Sequence, residues 1–313
     1  MTRVAAIDCG TNSIRLLVAD VDPATGEFTE LDRRMRIVRL GQGVDRTGRL
    51  APEALERTFD ACREYAAVIE ELGADRIRFV ATSASRDAEN SDTFVRGVLD
   101  IVGVEPEVIT GDQEAQFSFD GATRELVGAD HLEKPYLVVD IGGGSTEFVV
   151  GDDRVRAARS VDIGCVRMTE RHLVLDGAVV DPPTPDRVAA IRADIDAALD
   201  LAEESVPISS AATLVGLAGT VTTIAATALG LKEYDSEAIH HSRVSVGQVR
   251  EITARLLAST HEERAAIPAM HPGRVDVIAS GALVLLAVME RTGAREVVVS
   301  EHDILDGIAW SAA

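Results

Sequence analysis

Two stretches of this chain are versions of one another. "DCGTNSIRLLVAD", residues 8–20, and "DIGGGSTEFVVGD", residues 140–152, share Asp8/Asp140, Gly10/Gly142, Ser13/Ser145, Val18/Val150 and Asp20/Asp152. Each follows an apolar run ("RVAAI" or "YLVV") and opens another, so each reads as strand, tight loop, strand. A loop device used twice constrains the fold strongly: the chain should carry two copies of one α/β plan.

The segments between the repeats fit that plan. In the first half the strand-like runs "RVAAID", "SIRLLVADV" and "RRMRIVRLG" precede a long amphipathic stretch, "APEALERTFDACREYAAVIEELG", with Pro52 near its start and Gly73 as its stop. The strand "RIRFVAT", a helix around "SDTFVRGVLDIVG", the short strand "PEVIT" and a helix opening at Gly111 follow. Three strands and then alternating helix and strand make a layered α/β unit. "GADHLEKP" (128–135) is the best linker, polar and closed by a proline. Beyond it the order restarts with "YLVVD", the glycine loop, "TEFVVGD" and "RVRAARSVDI". Helices from Gly164 and Thr184 lead to the strand "ATLVGLAG", a further helix, the apolar helix "RVDVIASGALVLLAVMERTG", the strand "EVVVS" and a terminal helix capped by Asp303. These readings place one domain at 1–127 and a second at 128–313, with residues 303–313 able to pack back on the first. A cleft is expected between them.

Composition excludes several classes. At 313 residues there is length for two domains, and with 46% hydrophobic but only 4% aromatic residues their cores must rest on Val, Ile, Leu and Ala. A formal charge of −21 argues against a nucleic-acid polymer as partner, since a polyanion needs a basic footprint. No basic-then-apolar leader opens the sequence, and "ASGALVLLAVM" (279–289) is about half the ~20 residues of a membrane span, so no membrane is expected. Three cysteines without a CxxC pair suit neither a disulfide scaffold nor zinc, and point to the reducing cytoplasm. Cys9 stands where the second loop has Ile141, which predicts a small buried hydrophobe rather than a nucleophile. Arg33, Arg34, Arg36 and Arg39 read as a solvated strand edge or as guides for a polyanion. His240 and His241 lack a metal-ligand partner at helical spacing.

The chemistry lies in the loops. Glycines let backbone N–H groups converge on an anion without Cβ interference. That makes Asp8, Gly10, Thr11, Asn12 and Ser13 in the first loop candidate phosphate-binding residues, with Gly142, Gly143, Gly144, Ser145 and Thr146 in the second. The leading aspartates would repel phosphate, so their natural role is to hold Mg²⁺ or a water. A third small-residue loop, "GLAGTVTT" (216–223), puts Gly219 and Thr220 at a helix N-terminus suited to another phosphate.

Seven motifs occur in order: Asp-x-Gly-Thr-Asn-Ser, "LGQGVDRTGRL" (40–50), "ATSASRDAEN" (81–90), "ITGDQEA" (109–115), "DIGGGSTEF" (140–148), "GCVRMTE" (164–170) and "LAGTVTT" (217–223). Together they resemble the exopolyphosphatase and guanosine pentaphosphate phosphatase family over nearly the whole chain. The resemblance implies the actin, sugar kinase and heat-shock chaperone ATPase superfamily: an α/β protein of two ribonuclease H-like domains around a phosphate cleft. By position, Glu114 matches the family's catalytic glutamate and Arg86 an arginine that holds substrate phosphate. Asp140 and Glu147 match acidic residues that bind a divalent metal, Mg²⁺ or Mn²⁺. Taken alone, Glu114 reads as a first-turn glutamate favoured by the helix dipole.

The implied activity is hydrolysis of the terminal phosphoanhydride of inorganic polyphosphate by a cytoplasmic homodimer. Guanosine pentaphosphate is the alternative substrate, and an ATP-binding kinase or switch on the same fold is a remote one. Two departures stand out. Gln113 occupies the place of a second glutamate in many relatives, and "EHDILDGI" replaces a glycine-rich, arginine-containing segment of some. Long relatives continue into an extra helical region, whereas this sequence stops at Ala313 and is strongly acidic, so short polyphosphate chains are the expected substrate.

Overall fold

A computed structural model describes residues 1–124, 132–175 and 178–313. The linker reading at 128–135 and the boundary at 127/128 fall largely on residues 125–131, outside the described residues. The chain divides into two compact units, Met1–Gly121 with His302–Ala313, and Ala122–Glu301.

In the first unit β1 (Thr2–Cys9), β2 (Ser13–Asp22), β3 (Glu27–Ile37), β4 (Arg76–Ala81) and β5 (Glu107–Val108) form one sheet in the order β3-β2-β1-β4-β5. β1, β2 and β3 are antiparallel, while β4 and β5 run parallel to β1. Parallel pairing needs a long crossover. The helices Pro52–Leu72 and Ser91–Val102 provide it, the first opening on Pro52 and stopping at Gly73 with φ 67°. β1 is central and buried on both faces, which is why it reads as a continuous apolar run. Ala5, Ile7 and Cys9 pack with Tyr65 and Ile69 on one face, while Val4 and Ala6 pack with Ile304 and Ile308 of the terminal helix on the other. That helix meets the helix Gly111–Thr123 almost backbone to backbone. A Cβ on Gly121 would lie 1.8 Å from the Asp303 oxygen, and one on Gly307 would lie 2.1 Å from the Phe117 oxygen. β3 begins at Glu27, earlier than "RRMRIVRLG", because it pairs along the whole of β2 from Asp22↔Glu27 onward.

The second unit contains β6 (Tyr136–Ile141), β7 (Thr146–Gly151), β8 (Val155–Val161), a small hairpin of β9 (Val174–Leu175) and β10 (Ala178–Val179), then β11 (Thr213–Leu217), β12 (Arg243–Ser245) and β13 (Glu296–Val299). Its main sheet has the order β12-β13-β11-β6-β7-β8. β8-β7-β6-β11-β13 repeats β3-β2-β1-β4-β5 strand for strand and direction for direction. The ribonuclease H-like plan is therefore present twice, with β12 added as an antiparallel edge. Residues Ile278 to Met289 of the helix Ile278–Thr292 are all buried; the helix starts later than the apolar pattern suggested, because Pro272–Arg274 is a separate 3₁₀ turn.

All three cysteines are free and buried, and burial pushes the Cys9 thiol well above its ordinary value, which removes it as a nucleophile. The basic run is taken up in ion pairs: Arg34 and Arg36 reach Glu64, and Arg33 reaches Glu30 and Asp306. The His240 and His241 rings stack with centroids 3.8 Å apart, and His240 Nδ1 accepts from the Glu301 N–H. Among the described residues no helix is long and apolar enough to cross a membrane.

Candidate active site

The two repeated loops share a hydrogen-bond pattern as well as residues. Gly10 N–H donates to the Ser13 carbonyl at 2.9 Å, and Gly142 N–H to the Ser145 carbonyl at 3.1 Å. In both, a later segment ties down the carbonyls of the loop. Gly41 N–H donates to Thr11 O, and the N–H groups of Val38 and Arg39 to Asn12 O. Likewise the N–H groups of Val166 and Arg167 donate to Gly143 O, and Gly164 N–H to Gly144 O. Peptide groups are planar and trans, so a carbonyl held from behind turns the next N–H outward. Asn12 and Gly144 N–H are thereby turned away from the segments that hold the loops, an arrangement that can cradle an anion.

The backing segments come close because they carry glycine. A Cβ on Gly41 would lie 2.3 Å from Thr11 Cγ2, and one on Gly164 would lie 2.2 Å from Gly143 C and O. Leu40-Gly41 and Ile163-Gly164 thus extend the internal repeat. Two hydroxyls are already committed to this framework: Thr146 Oγ1 donates to Ile163 O at 3.0 Å from a fully buried side chain, and Thr11 Oγ1 pairs with Ser83 Oγ at 2.8 Å. Thr146 therefore supports the loop from within, where the sequence had suggested direct phosphate contact.

In the first unit the loop meets elements at the carboxyl ends of β1, β4 and β5, the end where parallel sheets bind ligands. Asp8 is 4% exposed and Arg15, its register partner on β2, donates to it from Nη2 at 2.6 Å and Nε at 3.1 Å. Arg15 also pairs with Asp303. Burial raises the Asp8 pKa, with Arg15 opposing. The sequence reading gave Asp8 a cation or water to hold; the structure gives it a guanidinium. Asp8 Oδ1, Asn12 Oδ1 and Ser85 Oγ are buried without a hydrogen-bond partner, and they lie on segments that touch through Thr82 N–H to Cys9 O. Buried polar atoms of this kind cost about 1–3 kcal/mol each until a polar partner arrives.

Glu114 and Arg86 come together. Arg86 Nη1 donates to Glu114 Oε2 at 3.1 Å and to Ile109 O at 2.9 Å, with the side chains 26% and 11% exposed for arginine and glutamate. Gln113 acts within its own turn. Thr110 N–H donates to Gln113 Oε1, and Gln113 N–H to Thr110 Oγ1, a reciprocal cap of the helix that carries Glu114.

In the second unit Asp140 and Glu147 face each other across β6 and β7, 6% and 1% exposed, and Ser160 Oγ donates to Glu147 Oε1 at 2.8 Å. Directly opposed residues have Cβ atoms about 5 Å apart. Burying two carboxylates so close is unfavourable unless a cation accompanies them. Among the described residues no group of three or more His, Cys, Asp or Glu could hold a metal. Two carboxylates with remaining positions for water and phosphate oxygens is the pattern that suits Mg²⁺. On the other side of Asp140 lies Leu217, followed by Ala218 with φ 65° and then Gly219 and Thr220 opening a helix. Arg274, which the sequence did not single out, lies against Gly219: a Cβ there would be 2.1 Å from Arg274 Nη2. Arg274 Nη1 also donates to Thr223 Oγ1 at 3.1 Å.

A ribonuclease H-like plan present twice defines a protein of the actin-like ATPase superfamily. The chain belongs to the Ppx/GppA phosphatase family, which it matches over residues 17–313. It is 51% identical to Exopolyphosphatase 2 of Mycobacterium tuberculosis, across 100% of this chain and 99% of that protein. It is 29% identical to the guanosine-5'-triphosphate,3'-diphosphate pyrophosphatase of Aeromonas salmonicida, across 98% of this chain and 58% of that protein. The crystal structure of an exopolyphosphatase-like protein matches with a TM-score of 0.92 at 46% identity, covering 98% of this chain and 97% of that one.

Proposed function

We propose that this protein is an exopolyphosphatase that hydrolyses the terminal phosphoanhydride of short inorganic polyphosphate chains. The observation that carries the reading is the repeated loop: two glycine loops whose carbonyls are tied back by a following segment, leaving the next amides turned outward. The identity to Exopolyphosphatase 2 supports the same substrate.

Phosphoryl transfer to water needs positioning and charge neutralisation more than covalent chemistry. In the first unit the outward N–H of Asn12 holds phosphate oxygens, and in the second unit those of Gly144 and of the helix N-terminus at Gly219 and Thr220 do. Arg86 exchanges part of its contact with Glu114 for substrate phosphate. Glu114, paired with that arginine at 3.1 Å, orients the water and accepts its proton. Asp140 and Glu147 would hold a divalent cation, Mg²⁺ or Mn²⁺, which would neutralise phosphate oxygens when bound. A cytoplasmic homodimer is part of the proposal; three buried free thiols suit a reducing compartment.

Phosphate release from polyphosphate and from guanosine pentaphosphate, in one buffer, tests the reading. Faster release from the nucleotide would favour the activity named for the Aeromonas relative. Tight ATP binding without hydrolysis of either would sink both.

A further inference from the structure

We propose that an arginine-lined pocket in the first unit is a phosphate subsite that holds the part of a polyphosphate chain beyond its cleaved end. The identity of the ligand rests on the exopolyphosphatase reading; the site rests on the pocket's own chemistry.

The segment that backs the first loop continues into this pocket. Val38, Arg39 and Gly41 hold the loop carbonyls, and the next residues, Gln42 and Gly43, form one wall of a 640 Å³ cavity. Arg46, Arg49 and Arg57 line it with a single acid, Glu53. Three arginines against one glutamate leave a formal +2, in a chain whose total is −21. Composition suggested that basic groups outside the cleavage site are missing, and here is a local exception.

Two of the three guanidiniums are available. The Arg46 guanidinium makes no hydrogen bond or ion pair among the described residues. Arg49 has Glu89 at 3.4 Å, both side chains more than half exposed, a pair of little worth. Arg57 braces the wall, donating to Val38 O at 2.8 Å and to Gln42 Oε1 at 3.1 Å.

The pocket is also built to keep its shape. A one-turn helix, Val44–Thr47, is bracketed by Gly43 and Gly48, both left-handed with φ 75° and 65°. The Asn90 side chain accepts from Leu50 N–H at 2.8 Å and donates to Leu50 O at 3.0 Å, while Glu89 N–H donates to Gly48 O. Residues 89 and 90 follow shortly after Arg86, so the pocket wall is fastened both to the cradle and to the segment that carries the phosphate-binding arginine. Guanidinium forks suit bridging phosphates, and a cavity of this size takes a few linked phosphates rather than a macromolecule.

The test is calorimetry with Mg²⁺ in a Glu114→Gln background, using tripolyphosphate, a medium-chain inorganic polyphosphate and guanosine pentaphosphate as probes. Arg46→Gln/Arg49→Gln is compared with Arg46→Lys/Arg49→Lys; Arg57 is left alone because it also braces Val38. The glutamine pair is expected to weaken the medium chain about tenfold and to leave tripolyphosphate unchanged. It should also flatten the salt dependence of log Kd by about 1.4, at roughly 0.7 per lost phosphate contact. The lysine pair should retain most of the affinity, and all variants should unfold at the wild-type temperature. An unchanged medium-chain affinity would overturn the proposal, as would equal losses for both probes, which would put the arginines at the cleavage site. A loss confined to guanosine pentaphosphate would also overturn it, in favour of a nucleotide diphosphate as occupant. Failure of the activity reading shows separately, as no phosphate release by the wild-type chain while arginine-dependent binding persists.

Discussion

Gly164→Ala tests the cradle most directly. The added methyl would lie 2.2 Å from Gly143 C and O and 2.4 Å from Gly144 N. All three are backbone atoms, so no side-chain rotation gives relief. With contact beginning at about 3.4 Å, the 142–145 loop must retreat by about 1.2 Å. That retreat stretches the bonds from Gly164, Val166 and Arg167 that hold the loop carbonyls. A misplacement of about 1 Å at a reacting group costs on the order of 10² in rate, or about 2.7 kcal/mol, while overpacking costs about 1–3 kcal/mol of stability. Gly41→Ala is the informative comparison. Its nearest obstacle, at 2.3 Å, is Thr11 Cγ2, a side-chain atom that a χ1 turn can move at the expense of the Thr11–Ser83 hydroxyl pair, so the loss should be about tenfold. Steady-state phosphate release from polyphosphate gives kcat/KM for both variants, and thermal unfolding confirms that each is folded. A Gly164→Ala enzyme within threefold of wild type, or a Gly41→Ala enzyme worse than it, would refute this geometry.

Glu114→Gln should lower kcat by at least about 10²-fold with polyphosphate affinity intact, since shape and phosphate contacts stay; a rate near wild type would exclude Glu114 as the base. Asp140→Ala should raise the Mg²⁺ concentration for half-activity, and an unchanged midpoint in a metal titration would reject Asp140 as a ligand. Ala218→Gly should raise the stability read from denaturant unfolding by up to about 1 kcal/mol by relieving φ 65° at a non-glycine residue; a drop in stability would show that the turn is not strained. At Asp306, burial opposes ionisation, yet the His302 hydrogen bond and Arg33 outweigh it and hold the carboxyl well below its usual range. A depressed carboxyl stabilises fully above its unfolded pKa of about 3.9 and progressively less as pH falls below that value. Acid should therefore loosen the terminal helix, read by fluorescence of Trp310, which packs 5.4 Å from Phe28, and Asp306→Asn should remove part of that pH dependence.

The loops and the succession of elements along the chain were legible because their determinants are local. Asp-x-Gly at a strand end, Pro52 and Gly73 around a helix, and hydroxyls after glycines act within a few residues of themselves. The helix Val246–Ala258 was equally open to a local reading, since Ser245 and Gln248 form a capping box and Val249, Ile252 and Leu256 recur at helical spacing. What was not legible depends on residues far apart in the chain. Arg15 meets Asp303, Arg33 meets Asp306, and Arg274 meets Gly219, each pairing fixed by how helices close over a sheet.

The most consequential of these pairings was hidden by the repeat itself. Overlaying the two loops on their identities draws the eye to the shared aspartates and glycines, and puts Arg15 on Glu147 as an uninformative mismatch. The register changes that reading, because each of those residues stands directly across from its loop's leading aspartate. One copy closes its carboxylate with a guanidinium, and the other sets a second carboxylate against it. The carboxylate pair proposed to hold a divalent cation, Asp140 with Glu147, thus has no counterpart in the first copy, where a guanidinium stands across from Asp8.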